Sequence, residues 1–273
     1  MHNLNLLQYL SMKQFRSLFY ITFFGLFSIM ANARPEDQEY DVYLLIGQSN
    51  MAGRGTMHAS DTTHSIEGVY LLSDAGEVLE ARNPLNRYSS IRKDISMQQI
   101  GPGTGFSEQM YKKTGRKVLL VVNARGGSKI EEWLPGTVYF NEAVRRCRQA
   151  MEYGELKGIL WHQGCSNART DRQEYMEMLS SLTEALREDL CPQKNVPFIA
   201  GEIAYWVEGA ESFNKMIHSI SDRIPDSSYI SVRGCGPLKP ESLKTDRPDP
   251  HFSREAQLKI GKRYARKMLQ MSR

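Results

Sequence analysis

Short apolar runs that alternate with amphipathic helical stripes constrain the fold of this chain more than any other feature. Five runs have the length and composition of buried strands, at residues 42–46, 118–122, 158–161, 197–200 and 229–232. Apolar side chains elsewhere recur at helical spacing, as in Tyr175, Leu179, Leu182, Leu186 and Leu190. Strands that alternate with helices form a mainly parallel sheet with both faces covered. The pattern therefore predicts an α/β fold, with residues 54–103 as its least regular part.

The first 33 residues have the pattern of a signal peptide. Lys13 and Arg16 precede an apolar run at 18–31, which is shorter than the about 20 residues that a membrane-spanning helix needs. Residues 31–33 then match the small-x-small pattern that signal peptidase cleaves. We expect cleavage rather than a retained anchor, which predicts a protein exported to the periplasm or the cell exterior with no stable membrane span. No linker-like segment divides residues 34–273, so we expect them to form a single domain.

The charge and cysteine content exclude several classes of partner. Lys and Arg outnumber Asp and Glu by only 35 to 31 and form no basic block, so we expect no nucleic-acid partner. Four cysteines are too few for a disulfide scaffold, and the chain has no CxxC pair typical of zinc, so we expect no metal. Cys191 and Cys235 could pair after export, a question that the sequence leaves open.

Two motifs directly follow strand-like runs, where ligands bind in parallel sheets. In Gly47–Met51, a serine beside a glycine is typical of a nucleophile on a tight turn, although a simple turn or cap serine is the alternative for Ser49. In Asn123–Ser128, the paired glycines Gly126 and Gly127 let backbone N–H groups approach an oxyanion closely, or they form a plain turn.

Two further motifs lie later in the chain. In the segment 161–167, the Gln163 side-chain amide is a second candidate oxyanion donor, and His162 with Cys165 weakly suggests a cysteine nucleophile or a metal site. Before the last helix, Asp249 and His251 form the kind of pair that activates a serine, the carboxylate orienting the imidazole. A structural histidine is the alternative there.

Four motifs of the chain together resemble those of the SGNH hydrolases: GQSNMAG, ARGGS, WHQG.SN and D.HF. Within that superfamily, the chain resembles the sialate O-acetylesterase group and carbohydrate esterase family six, the acetylxylan esterases. The resemblance implies a flavodoxin-like three-layer α/β/α sandwich and a serine esterase that removes acetyl groups from sugars without a cofactor. It assigns Ser49 as the nucleophile and His251 as the base. It also implies an oxyanion hole made by the Ser49 amide, Gly126 and Gln163, with Gly127 as the alternative glycine.

The chain departs from this family pattern at two positions. Cys165 stands where relatives usually carry an acidic residue, and a thiol cannot reproduce the two acceptor oxygens of a carboxylate. Asp249 lies two residues before His251, whereas relatives usually place the acid three residues before it. Asp246 is therefore the substitute candidate for orienting the imidazole, and a backbone carbonyl is a third option.

The expected substrate is an acetylated carbohydrate: acetylated xylan, another glycan or an O-acetylated sialic acid. We expect four residues beside the motifs to bind it, namely Gln48, Asn50, Arg125 and His162. Several arginines could attract the carboxylate of an acidic sugar or are solvated surface charges: Arg54, Arg82, Arg87, Arg92 and Arg125. A carbohydrate-binding protein on an inactive esterase scaffold and a general carboxylester or lipid hydrolase are the alternative functions.

Overall fold

One seven-stranded sheet organises residues 39–272, the part of the chain that the computed structural model describes. Its order is β3-β2-β4-β1-β5-β6-β7, and every neighbouring pair is parallel except β2 and β3. The central strand β1 is buried along its whole length. The predicted mainly parallel sheet is confirmed. The strands are β1 Tyr40–Gly47, β2 Val69–Leu72, β3 Val78–Glu80, β4 Val118–Ala124, β5 Gly154–His162, β6 Phe198–Gly201 and β7 Ser227–Ile230.

Helices cover both faces of this sheet, which confirms the three-layer sandwich. Alternate residues of β1 point to opposite faces, so Val42, Leu44 and Ile46 join one apolar core while Tyr43 and Leu45 join the other. The first core includes side chains of α4, α5 and α6, and the second includes side chains of α3 and α7. The helices are α1 Ser49–Ala52, α2 Ala59–Thr63, α3 Pro102–Thr114, α4 Val138–Met151, α5 Arg172–Leu190, α6 Ala210–His218 and α7 Arg254–Met271.

Strands β2 and β3 lie within 54–103, where the sequence showed little regularity. They have four and three residues and form one edge of the sheet, and β3 is mostly exposed. A strand this short at an edge carries too few buried residues to give a periodic signal, which is why the sequence pattern did not reveal it.

The close packing of α3 against α7 fixes the helix that follows the His251 segment. A Cβ added at Gly105 would collide with the Leu258 carbonyl, and one added at Gly261 would collide with the Pro102 carbonyl. The two helices therefore touch backbone to backbone. At the start of α7, the Ser253 hydroxyl accepts a hydrogen bond from the Ala256 N–H and caps the helix.

The signal peptide predicted for residues 1–33 lies outside the described residues. Glu39–Arg273 forms one compact unit. No helix within residues 39–272 is long and apolar enough to cross a membrane. All four cysteines are free, so Cys191 and Cys235 do not form the disulfide that the sequence left open.

Candidate active site

Ser49 lies at the carboxyl end of the central strand, where β1 passes into the short helix α1. Gly47 has a φ of +133°, and a Cβ there would collide with the backbone of His162 on β5. Only glycine lets the strand turn this close to its neighbour. The Ser49 hydroxyl then faces the imidazole of His251, with 2.9 Å between Oγ and Nε2.

Asp249 holds the other side of the same imidazole. Its Oδ1 lies 2.6 Å from His251 Nδ1 and also accepts the His251 backbone N–H at 2.9 Å. A carboxylate on Nδ1 places the proton on that nitrogen and leaves Nε2 as the acceptor for the Ser49 hydroxyl. Asp246, the substitute candidate, is exposed to solvent. The spacing of two residues works because the backbone turns so that one carboxylate oxygen reaches both nitrogens.

Burial and charge act in opposite directions on His251. Burial lowers the pKa of the imidazole below its usual value, and the Asp249 carboxylate opposes this shift by stabilising the protonated form. The net pKa of His251 is lowered. The imidazole is therefore neutral at pH 7, which is the state that can accept a proton from a hydroxyl.

Asn50 clamps the chain on both sides of His251. Its Nδ2 donates to the Pro250 carbonyl at 3.1 Å, and its Oδ1 accepts the Phe252 N–H at 3.4 Å. The Gln257 amide donates to the same Oδ1 at 3.2 Å. Asn50 has no exposed surface. The prediction that it binds substrate is therefore corrected: the buried amide holds the chain on both sides of His251.

The glycine turn after β4 brings backbone beside Ser49, and it does so through Gly126. A Cβ added at Gly126 would lie 3.7 Å from the Ser49 Cβ, whereas one at Gly127 would lie 3.5 Å from the Lys93 ammonium. Gly126 is buried and Gly127 is exposed with a φ of +79°. Of the two glycines that the sequence offered, Gly126 is thus the one that faces the serine.

Gln163 supports this turn instead of pointing at Ser49. Its Nε2 donates to the Ser128 carbonyl at 3.0 Å and to Asn167 Oδ1 at 2.7 Å, while its Oε1 accepts the Tyr175 hydroxyl at 2.8 Å. Both amide hydrogens are therefore engaged, and the residue is completely buried. The prediction of Gln163 as an oxyanion donor is corrected to a role in holding the turn.

Gln48 and Arg125, two predicted substrate-binding residues, are also used by the scaffold. Gln48 is 2% exposed, and its Oε1 accepts the Gly164 N–H at 3.0 Å, which ties the end of β1 to the end of β5. The Arg125 guanidinium donates through Nη1 to the Ile91 and Arg92 carbonyls at 3.0 and 3.1 Å. These contacts tie the loops around Ser49 and use the Gln48 oxygen and one Arg125 nitrogen, so substrate binding by the rest of each side chain stays a prediction.

His162 lies beneath the site and not on its surface. It is 1% exposed, and its Nδ1 is 3.0 Å from the Tyr264 hydroxyl, which itself donates to the Trp161 carbonyl. The imidazole must therefore donate to Tyr264 through Nδ1. Burial lowers the pKa of His162 to about 4, so it is neutral at pH 7. A substrate cannot reach it, which corrects that prediction as well.

A family model described as carbohydrate esterase, sialic acid-specific acetylesterase, matches residues 39–270. The chain belongs to this family. An Arabidopsis thaliana protein described as a probable carbohydrate esterase is 27% identical to the chain over 240 residues, which covers 81% of this chain and 86% of that protein.

Solved structures of similar proteins share the fold of this esterase. The A. thaliana protein superposes with a TM-score of 0.71 at 24% identity, covering 85% of this chain and 98% of that one. NanS gives 0.66 at 17% identity, covering 85% and 97%. A carbohydrate acetylesterase from Xanthomonas citri gives 0.57 at 16% identity, covering 82% and 55%.

Cys165 of the esterase is a protonated thiol at neutral pH. Burial raises its pKa to about 12, which removes the thiolate that a cysteine nucleophile needs. Within residues 39–272, no group of three or more His, Cys, Asp or Glu side chains is arranged to hold a metal ion. The interpretation of His162 and Cys165 as a nucleophile or metal pair therefore has no support in the geometry.

Sequence reasoning missed one positioning residue of the esterase. The Trp206 indole N–H donates to the Asp249 carbonyl at 2.7 Å, and its ring packs edge-on against Phe252 at 5.4 Å between centroids. Trp206 therefore holds the two residues that flank the Pro250–His251 pair. No local signal in the sequence marks it, because the contact joins positions 43 residues apart.

Proposed function

We propose that this carbohydrate esterase is a serine hydrolase that removes O-acetyl groups from sugars through an acetyl-enzyme on Ser49. The observation that carries the proposal is the continuous chain of contacts from Ser49 Oγ to His251 Nε2, at 2.9 Å, and from His251 Nδ1 to Asp249 Oδ1, at 2.6 Å. A nucleophile within reach of a base that a third group orients is the arrangement that activates a serine.

The reaction has two steps, acylation and deacylation, and in each step His251 accepts one proton and gives one back. Ser49 Oγ attacks the acetyl carbonyl carbon while its proton passes to His251 Nε2, and that proton then leaves on the sugar oxygen as the ester bond breaks. Water next attacks the acetyl-enzyme, giving its proton to the same nitrogen. Acetate leaves and Ser49 regains its proton. Asp249 stabilises the imidazolium that forms in each half.

Backbone amides stabilise the negative oxygen in both halves. The Ser49 N–H is the first of α1, so it has no partner in a preceding helical turn. The Gly126 backbone lies beside the Ser49 side chain. These two amides replace the predicted set of three, since the Gln163 amide is engaged elsewhere.

The proposed substrates are the ones expected from the sequence: acetylated xylan, another acetylated glycan or an O-acetylated sialic acid. The description of the matching family supports testing the sialic acid ester first. Export through the N-terminal signal belongs to the same proposal and would place the enzyme where extracellular glycans occur. A binding protein on an inactive scaffold is less well supported, because the unusual acid spacing still lets Asp249 reach His251.

Acetate release by variants of Ser49 and His251 tests the mechanism. We expect Ser49→Ala and His251→Ala each to lower kcat by at least about 10³-fold, and the double variant to be nearly as slow as either one, because the two groups act as a unit. Thermal melts should stay close to the wild type. Ser60→Ala and His64→Ala, at exposed positions of the same residue types, are the matched controls.

Two results would reject the serine mechanism. Turnover by Ser49→Ala at the wild-type rate means that another group forms the acyl intermediate or none does. Additive losses for Ser49→Ala and His251→Ala mean that the two residues do not share one proton.

A further inference from the structure

Arg54 lies in the same corner of the site as Ser49 and Gly126. A Cβ added at Gly126 would be 2.6 Å from Arg54 Nη2 and 3.7 Å from the Ser49 Cβ. The guanidinium and the nucleophile are therefore close neighbours across one glycine. Gly126 has to lack a side chain for this arrangement to exist.

The backbone around Arg54 is fixed, so this placement is built into the fold. Gly55 and Ile100 exchange backbone hydrogen bonds of 2.9 and 3.0 Å, and Gln99 N–H donates to the Gly53 carbonyl at 3.3 Å. The same Gly53 carbonyl accepts Arg54 Nη1 at 2.6 Å. One edge of the half-buried guanidinium is thus anchored beside its own backbone.

The other edge of the guanidinium is available to a substrate. No hydrogen bond among residues 39–272 uses Arg54 Nη2, although this group lies against Gly126 on the side where a Cβ would also approach the Ser49 Cβ. The side-chain donor that the sequence suggested, Gln163, has both hydrogens engaged with Ser128 and Asn167. Arg54 Nη2 is therefore a cationic side-chain donor beside the Gly126 turn that no acceptor among residues 39–272 engages.

The charge of Arg54 interacts with Asp249 and with His251. Burial lowers the pKa of Arg54 and the Asp249 carboxylate raises it, while a guanidinium stays protonated at neutral pH in either case. In return, Arg54 lowers the pKa of His251. A positive charge beside a half-buried ester carbonyl stabilises a developing oxyanion more than the neutral ester, which is the requirement for a gain in kcat.

On the basis of the serine mechanism above, we propose that Arg54 is a catalytic residue. Its Nη2 donates a hydrogen bond to the carbonyl oxygen that becomes negative when Ser49 attacks, completing the oxyanion hole with the Ser49 and Gly126 amides. The residue takes the place that the sequence assigned to Gln163.

Arg54→Met and Arg54→Lys test this role on neutral substrates, 4-nitrophenyl acetate and an acetylated neutral sugar. We expect Arg54→Met to lower kcat by about 100-fold or more with KM within a few-fold of the wild type, and Arg54→Lys to lie between the two. The acid limb of the pH profile should move to higher pH in Arg54→Met, because a charge that lowers the pKa of His251 has been removed. Lys93→Met, which removes a cation near the exposed Gly127, is the matched control and should keep neutral-ester turnover.

Other outcomes overturn the proposal. If Arg54→Met keeps turnover of neutral esters and loses only O-acetylated sialic acid, the guanidinium binds a substrate carboxylate and not the oxyanion. If Lys93→Met loses as much activity as Arg54→Met, the effect is a general one of surface charge. A loss of activity that goes with a lower melting temperature marks Arg54 as structural.

Ser49→Ala, measured in parallel, separates the two proposals. An active Ser49→Ala variant rejects the serine mechanism. An inactive Ser49→Ala variant with an active Arg54→Met variant rejects only the role of Arg54.

Discussion

The two sides of Ser49 are built from different kinds of contact. On one side, the turn that carries Gly126 rests on the buried amide of Gln163, whose three hydrogen bonds all end on buried protein atoms. On the other side, His251 sits on a long connection between β7 and α7. The Asn50 amide, the Trp206 indole and a backbone hydrogen bond from Leu238 N–H to the His251 carbonyl hold this segment.

Because of this difference, we expect damage on the two sides of Ser49 to appear in different measurements, stability on one side and catalysis on the other. A polar group that loses its partner in a dry interior destabilises the fold by about 1–3 kcal/mol, so damage to the turn should appear first in thermal melts. A loop that opens locally can lose its geometry without unfolding the domain, so damage to the His251 segment should appear first in kcat. The four predictions below test whether the two sides differ in this way.

The largest expected effect is on the loop side, at Asp249. Asp249→Asn should lower kcat by about 10³- to 10⁴-fold, since the amide no longer selects the correct tautomer of His251. The carboxylate raises the pKa of His251, so its removal lets that pKa fall further and moves the acid limb of the pH profile to lower pH. Asp246→Asn, at an exposed position, is the matched control, and an equal loss there would return Asp246 as the orienting acid.

Asn50→Ala should break the clamp on the same side. We expect kcat to fall by between about 10- and 100-fold, because a displacement of the base of about 1 Å is enough for such a loss. The unfolding free energy should fall by about 1–3 kcal/mol, because the half-buried Pro250 carbonyl can bond to water once the Asn50 amide is gone. Acetate release and chemical denaturation measure the two effects, with Asn141→Ala on the exposed face of α4 as the control. A raised KM at unchanged kcat would instead restore Asn50 as a substrate-binding residue.

Gln163→Ala is the corresponding change on the turn side. It removes one buried hydrogen-bond partner from each of Ser128, Asn167 and Tyr175, so we expect the unfolding free energy to fall by about 3 kcal/mol. The kcat of the folded enzyme should fall by less than about tenfold, because the amide does not donate to the substrate. Gln173→Ala, exposed on α5, is the control. A 100-fold loss of kcat with an unchanged melt would contradict the comparison and make Gln163 an oxyanion donor.

The smallest effect is expected at Cys165. Cys165→Ser should change kcat by less than about twofold, because the half-buried thiol is protonated and takes no part in proton transfer. Alkylation of the wild type with a thiol reagent gives a second readout. Loss of turnover in Cys165→Ser while Ser49→Ala stays active would identify the cysteine as the nucleophile.

The sequence determined the parallel strands at the centre of the sheet and the placement of the motifs. The runs at 42–46 and 118–122 became β1 and β4, and the serine and glycine motifs follow them at one edge of the sheet. These features are readable because they are local: a buried parallel strand is a continuous apolar run, and the carboxyl ends of parallel strands meet.

The tertiary structure alone decided which side chain does what within those motifs. The choice of Gly126 over Gly127, the engagement of Gln163 and the clamp by Asn50 depend on atoms far apart in the chain. Asn50 and Pro250, for example, are 200 residues apart in the chain, yet Asn50 Nδ2 lies 3.1 Å from the Pro250 carbonyl oxygen. A hydrogen-bonding side chain has the same local sequence whether it points to substrate, solvent or a buried carbonyl. Its partner is set by how β1, β5 and α7 pack, and no periodicity or spacing encodes that packing.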